Sequence, residues 1–253
     1  MSKRQVSSGD SVFGTSPQRI LGDEVDPVHL DDVYDALQSS RRRDTLRFLE
    51  SFGETDISEL ADEISRLEFG EAYDSSQRKN VYVTLRQSNL PSLDEVSAIE
   101  FDKNRGTVKE DINSGIFYEL VGETFDQPLE EISVDENNLD VDVAYHLLSN
   151  SRRRAVIRYF NNFEGSVTLG ELSTHIAASE LDLNPENIEK SDSKRQNVYI
   201  GLYSHGHLDK LDANDIIDYD KDSGVIEEDQ NLQVLTDKVA ESFYNPEQYL
   251  VPD

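Results

Sequence analysis

The tetrapeptide Ser-Arg-Arg-Arg occurs twice in this chain, as Ser40-Arg41-Arg42-Arg43 and as Ser151-Arg152-Arg153-Arg154, and its surroundings recur with it. Val33-Tyr34-Asp35-Ala36-Leu37 precedes the first copy and Ala144-Tyr145-His146-Leu147-Leu148 the second. Thr45-Leu46-Arg47-Phe48-Leu49 follows the first and Val156-Ile157-Arg158-Tyr159-Phe160 the second. The chain is therefore a tandem duplication, and any fold assigned to it has to be one that a unit of roughly half its length can adopt twice.

At 253 residues the chain is long enough for two units, each with its own core. Residues 1–27 are polar and without periodicity, which predicts a flexible arm; 28–135 and 136–253 are the expected domains. Lys3, Arg4 and Arg19 make the arm slightly basic, so it can be an inert leader or can follow a phosphate backbone. Hydrophobic residues make up 36% of the chain and the formal net charge is −28, a combination that by itself suits a disordered chain. The apolar periodicities below argue instead for a folded protein adapted to high salt, where screening over about 3 Å at 1 M removes the self-repulsion of an acidic surface. That habit is typical of halophilic archaea. There is no cysteine, no apolar run of membrane length and no signal-peptide core, so a cytoplasmic location without membrane attachment is expected.

Each repeat has the same order of elements. Leu30, Val33, Tyr34 and Leu37 lie at helical spacing. A second helix is expected with Ser40 as its N-cap and Leu46, Leu49 and Phe52 as its buried stripe, ending at Gly53. Asp56-Ile57-Ser58-Glu59 and Thr168-Leu169-Gly170-Glu171 resemble capping boxes, strictly so in the second copy, and open a third helix. Its apolar positions are Ile57, Leu60, Ala61, Ile64 and Leu67, against Leu169, Leu172 and Ile176. After a polar loop, longer in the second repeat, Arg78-Lys79-Asn80-Val81-Tyr82 and Lys194-Arg195-Gln196-Asn197-Val198-Tyr199 open a fourth helix, which Pro91 kinks or ends in the first repeat. Residues 98–108 and 216–226 alternate about a Gly-containing turn, as a β-hairpin does. A last helix is expected in each repeat, aligning Val121, Phe125 and Pro128 with Val239, Phe243 and Pro246.

Three helices, a helix that starts with basic residues and a hairpin make an α+β fold, mainly α, in the order of a winged helix-turn-helix domain, here twice. In such a domain the fourth helix enters the major groove and the hairpin, or wing, meets the backbone. The motifs SRRR, the ISELA helix start and the NVY…LPSLDEV…IEFDKNRGTV run resemble a winged-helix family of halophilic archaea, over residues 30–110 and again over 141–228. The resemblance implies the fold, and implies transcriptional regulation only as that family's presumed role. The second repeat departs from it at Ser204-His205-Gly206-His207, where Gly206 weakens a helix by roughly 1 kcal/mol relative to Ala.

Candidate contacts to double-stranded DNA follow from residue type. Arg78, Lys79, Asn80, Tyr82 and Arg86, with Lys194, Arg195, Gln196, Asn197 and Tyr199, have side chains suited to guanine and adenine edges; the alternative is a solvated helix start. Lys103, Arg105 and Lys221 are candidates in the wings. Arg41, Arg42, Arg43, Arg152, Arg153 and Arg154 crowd helix starts, where the dipole disfavours cations by about 0.3–1 kcal/mol each. They can clamp phosphate with the free helical N–H groups, or pair with the chain's own carboxylates. His205-x-His207 lacks a third metal ligand, and no nucleophile elbow or phosphate-binding glycine loop is present. No catalysis, cofactor or metal is expected. The competing expectation is a protein-interaction module, or a homodimer, using the terminal helices around Phe125 and Phe243.

Overall fold

The computed structural model describes residues 30–121, 139–190, 192–233 and 235–236. The basic arm and the expected domain boundary lie outside these residues, as do Phe125, Pro128, Val239, Phe243 and Pro246. The first unit runs α1 (Leu30–Leu37), α2 (Ser40–Phe52), β1 (Thr55–Asp56), α3 (Ile57–Phe69) and α4 (Ser75–Thr84). A π-helical turn over Leu85–Asn89 leads into α5 (Leu90–Glu95), followed by β2 (Ile99–Asp102), β3 (Thr107–Glu110) and α6 (Ser114–Val121). The second unit repeats the order as α7 (Val141–Leu148), α8 (Ser151–Asn162), β4 (Val167–Thr168), α9 (Leu169–Glu180), α10 (Ser193–Ser204), α11 (His207–Asp212), β5 (Ile217–Asp220) and β6 (Val225–Glu228). The result is an α+β chain of two like units, as the duplicated sequence requires.

The hairpins form as expected, and each gains a third strand too short to leave a pattern in the sequence. The sheets are antiparallel with order β1-β3-β2 and β4-β6-β5, and the registers match: Phe101 faces Val108 as Tyr219 faces Ile226. Each hairpin turn is bonded to a helix start. Ile57 N donates to Gly106 O at 2.8 Å and Leu169 N to Gly224 O at 2.9 Å. Gly106, at φ +75°, can make that turn because it has no Cβ to press on Ile57 Cγ2, which would be 3.2 Å away.

Two expectations need correcting. The N-cap of α2 is Ser39, not Ser40, and it makes no side-chain cap; in α8 the cap is Asn150, whose side chain accepts from Arg152 N. Phe52 and Leu67 are 68% and 50% exposed rather than buried; the core-facing residues nearest those ends are Leu46, Phe48 and Leu49 on α2 and Leu60, Ala61 and Ile64 on α3. The interruption expected at Pro91 falls just before it: α4 ends at Thr84, and a π turn over Leu85–Asn89 runs on into α5, whose second residue is Pro91. The second repeat has one residue more between Leu202 and Leu208 than the first has between Leu85 and Leu90. There the helix breaks outright at Gly206, which is left-handed at φ +67°.

The two units share one continuous hydrophobic cluster, joined where α1 packs on α7. The joint is reciprocal. Arg43 Nη2 lies 2.6 Å from Asp142 Oδ1, and Arg154 Nη1 lies 2.5 Å from Asp31 Oδ1. Arg43 also stands 5.3 Å over the Tyr145 ring and Arg154 5.3 Å over the Tyr34 ring. These are equivalent positions contacting each other in both directions, the signature of an isologous interface, here made within one chain. Each arginine reaches back as well to the end of its own preceding helix, Arg43 to Leu37 O at 2.7 Å and Arg154 to Leu148 O at 2.6 Å. One guanidinium thus satisfies an orphan carbonyl at the negative end of one helix and the carboxylate in the first turn of the other. Replacing Arg43 or Arg154 by Ala leaves those groups unpaired and should cost about 1–3 kcal/mol each. Urea unfolding in molar KCl reads the loss, and the double variant should resolve into two transitions.

Candidate nucleic-acid interface

Five of the six triplet arginines are bonded within the protein itself. Beyond Arg43 and Arg154, Arg42 donates to Asp35 O at 2.6 Å, and Arg153 donates to Leu147 O at 2.7 Å and His146 O at 2.5 Å. The dipole penalty of cations at the starts of α2 and α8 is therefore met by the carbonyl ends of α1 and α7, which sit against them. Arg41 pairs with Glu68 and Thr84 across the cleft between α2 and α4, and the Glu68 carboxylate raises its pKa. Of the two roles open to the triplets, the structural one accounts for Arg41, Arg42, Arg43, Arg153 and Arg154.

Arg152 differs. Its Glu68 equivalent, Glu180, is taken by Lys194 Nζ at 2.6 Å, and Gly201 stands where Arg41 meets Thr84 in the first unit. The Arg152 guanidinium lies over Gly201 so closely that a Cβ there would collide with it. Beside it His207 is buried, with Nδ1 3.5 Å from Arg153 Nη1. Burial first, then Arg153 and Arg152, push the His207 imidazole down to about 4. Burial and Arg153 lower His146 too.

The fourth helices carry their basic residues in two different ways. Arg78 is turned inward: it pairs with Asp62, and its Nη2 donates to Ser58 Oγ at 2.7 Å. Arg195 does the same in the second unit, donating to Thr174 Oγ1 at 2.8 Å and Gly170 O at 3.0 Å. These bonds lock α4 on α3 and α10 on α9, so the Arg78 and Arg195 guanidinium groups have partners within their own units. Tyr82 packs on the core. The half-buried Arg86 donates to Lys103 O at 2.8 Å, tying the fourth helix to the hairpin. Left exposed in the first unit are Lys79 and Asn80 on α4, and Lys103 and Arg105 at the hairpin tip. Arg105 is 82% exposed and only 3.6 Å from Asp102, a loose contact.

In the second unit Lys194 is paired with Glu180, and Lys221 with Asp209 at 2.9 Å. Gln196, Asn197 and Tyr199 are exposed. The hairpins differ in balance: β2–β3 holds three acids against three bases, and β5–β6 five acids against one lysine. The sequence shows that count, but not the exposed row Tyr199, Ile200 and Tyr203 on α10, which only the orientation of the helix reveals. Among the described residues no group of three His, Asp or Glu side chains is placed to hold a metal, and no helix is long and apolar enough to cross a membrane.

An α+β chain of two like units, joined by a reciprocal arginine contact and carrying a basic tip on one unit, is the class these observations define. The chain belongs to the family described as domain of unknown function DUF7344, whose profile matches residues 34–109 and 145–227, one match per unit. No curated protein and no solved structure gives a significant match to it.

His207 makes the stability pH-dependent. Its folded pKa lies below the unfolded value of about 6.5, so the unfolded chain binds more protons as pH falls from about 6.5 to about 4, and stability is lost across that window. Above about 6.5 the histidine contributes no slope. His207→Gln should flatten the fall of the urea midpoint in that window and leave its neutral-pH slope unchanged.

Proposed function

We propose that this protein is a DNA-binding transcriptional regulator of the winged helix-turn-helix type, adapted to molar salt, in which the first unit makes the base contacts. In this reading α3 and α4 are the helix-turn-helix pair, α4 is the recognition helix and the β2–β3 hairpin is the wing. The observation that carries it is the set of cations left exposed on the first unit. In a chain of net charge −28, most described arginines are bonded internally, yet Lys79, Lys103 and Arg105 stay exposed on α4 and on the wing beside it.

Arg86 holds the wing against the helix through Lys103 O, and Arg78 fixes the helix angle through Asp62. Both act as positioning residues. Asn80, exposed one residue beyond Lys79, has the amide that pairs with adenine N6 and N7. Lys103 and Arg105 suit phosphate. The small number of cations fits high salt, where each phosphate contact gains little from counterion release and base contacts and shape have to supply the affinity. The acidic surface, a match for halophilic conditions, keeps the rest of the chain off the polyanion.

The test is selection of duplexes from a random-sequence pool by the purified chain in molar KCl. A defined motif should emerge. Asn80→Ala should weaken binding to it by about 1–3 kcal/mol and relax the motif at one position. Lys103→Ala with Arg105→Ala should weaken all duplexes alike. A pool that shows no enrichment after selection contradicts the proposal.

A further inference from the structure

We propose that the matching face of the second unit, the outer side of α10 with the β5–β6 hairpin, is a docking surface for a basic protein segment with an apolar face. This stands independently of whether the first unit reads DNA. Tyr199, Ile200 and Tyr203 are 40%, 51% and 53% exposed at positions i, i+1 and i+4, hence on one side of the helix. The two tyrosine rings lie 6.4 Å apart. In the first unit Arg86, the equivalent of Tyr203, donates to Lys103 O of its hairpin at 2.8 Å. The same frame sets the Tyr203 end of α10 beside β5–β6, where both tyrosines help burial to raise the Tyr219 phenol pKa. At the equivalent positions of the first unit, Tyr82 and Val83 are half-buried and the residue matching Tyr203 is Arg86. The duplicated frame has thus exchanged a basic position for an aromatic one and turned an apolar row outward. In a chain only 36% hydrophobic, a contiguous exposed apolar row marks an interaction site.

The charge beside the row selects the occupant. The hairpin carries Asp218, Asp220, Asp222, Glu227 and Glu228 against Lys221, which Asp209 already holds. Both basic residues of α10 are bonded internally, Lys194 to Glu180 and Arg195 to α9. A nucleic acid would meet carboxylates, and no cation of α10 that is not already paired within the unit. A second copy docking isologously would bring two such hairpins together, like charge on like. A segment with leucine- or isoleucine-type side chains flanked by lysine or arginine matches both features: the apolar side chains cover the aromatic row, and the cations meet the aspartates at contact distance, where molar salt screens least.

The test uses the full chain and two synthetic amphipathic helices of equal length, with the same leucine face, one bearing lysines and the other glutamates on its polar positions. Fluorescence anisotropy in molar KCl should show the lysine helix binding about tenfold or more tightly than the glutamate helix. Ile200→Glu and Tyr203→Glu should each weaken it about tenfold or more, and Lys79→Ala should leave it unchanged. Circular dichroism melts confirm that the variants are folded. Equal binding of the two helices, binding of neither, or indifference to Ile200→Glu overturns the proposal. So does self-association that Ile200→Glu abolishes, which would make a second copy the occupant. A loss of duplex binding in Tyr203→Ala would make nucleic acid the occupant and overturn it equally.

Discussion

The two guanidinium groups of Arg43 and Arg154 hold the architecture together, because each closes two electrostatic accounts at once. A helix ends in unpaired carbonyls and begins with unpaired N–H groups. Where α1 and α7 pack together, the carbonyl end of each lies close to the acidic first turn of the other, and one arginine spans the gap. Arg43 binds Leu37 O and Asp142; Arg154 binds Leu148 O and Asp31. The Tyr34 and Tyr145 rings beneath them, 6.5 Å apart, complete the joint. Together with the apolar packing of α1 on α7, this contact joins the two units.

Much of this fold was legible in the sequence because it depends on local patterns. The helical spacing of Val33, Tyr34 and Leu37, the capping box at Thr168 and Glu171, and the alternation around Gly106 and Gly224 each specify an element without long-range help. The duplication supplied a second reading of every element. What stayed hidden depends on direction in space. Strand β1 is two residues long and exists only because β3 passes beside it. Phe52 reads as a core residue by spacing, yet it is 68% exposed, its ring tilted against that of the buried Phe48 with centroids 4.9 Å apart.

The candidate site shows the same division. Residue type marks Arg78 and Lys79 as a pair of basic contacts, but one side chain folds back on α3 and its neighbour stays in solvent. A helix places adjacent residues about 100° apart, so a basic dipeptide at a helix start seldom points both ways to one ligand. For the triplets the sequence left two roles open, and the dipole penalty that suggested a bound phosphate is met instead by the carbonyls of the preceding helix. The aromatic row on α10 is not legible in the sequence, because Tyr and Ile at those positions suit a core equally well.

Set side by side, the two units describe one frame with two surfaces. The first keeps exposed cations on its fourth helix and a hairpin balanced in charge; the second pairs those cations off, turns Tyr199, Ile200 and Tyr203 outward and loads its hairpin with acid. Such divergence is available to a duplicated chain because the joint between units, not the outer faces, holds the pair together. The most direct test is hydrogen exchange on the full chain in molar KCl, free and bound to its selected duplex. The account predicts slowed exchange confined to residues 75–89 and 99–110, with residues 193–212 and 217–228 unchanged. Equal protection of both sets, or protection of the second alone, would contradict the division of labour between the units.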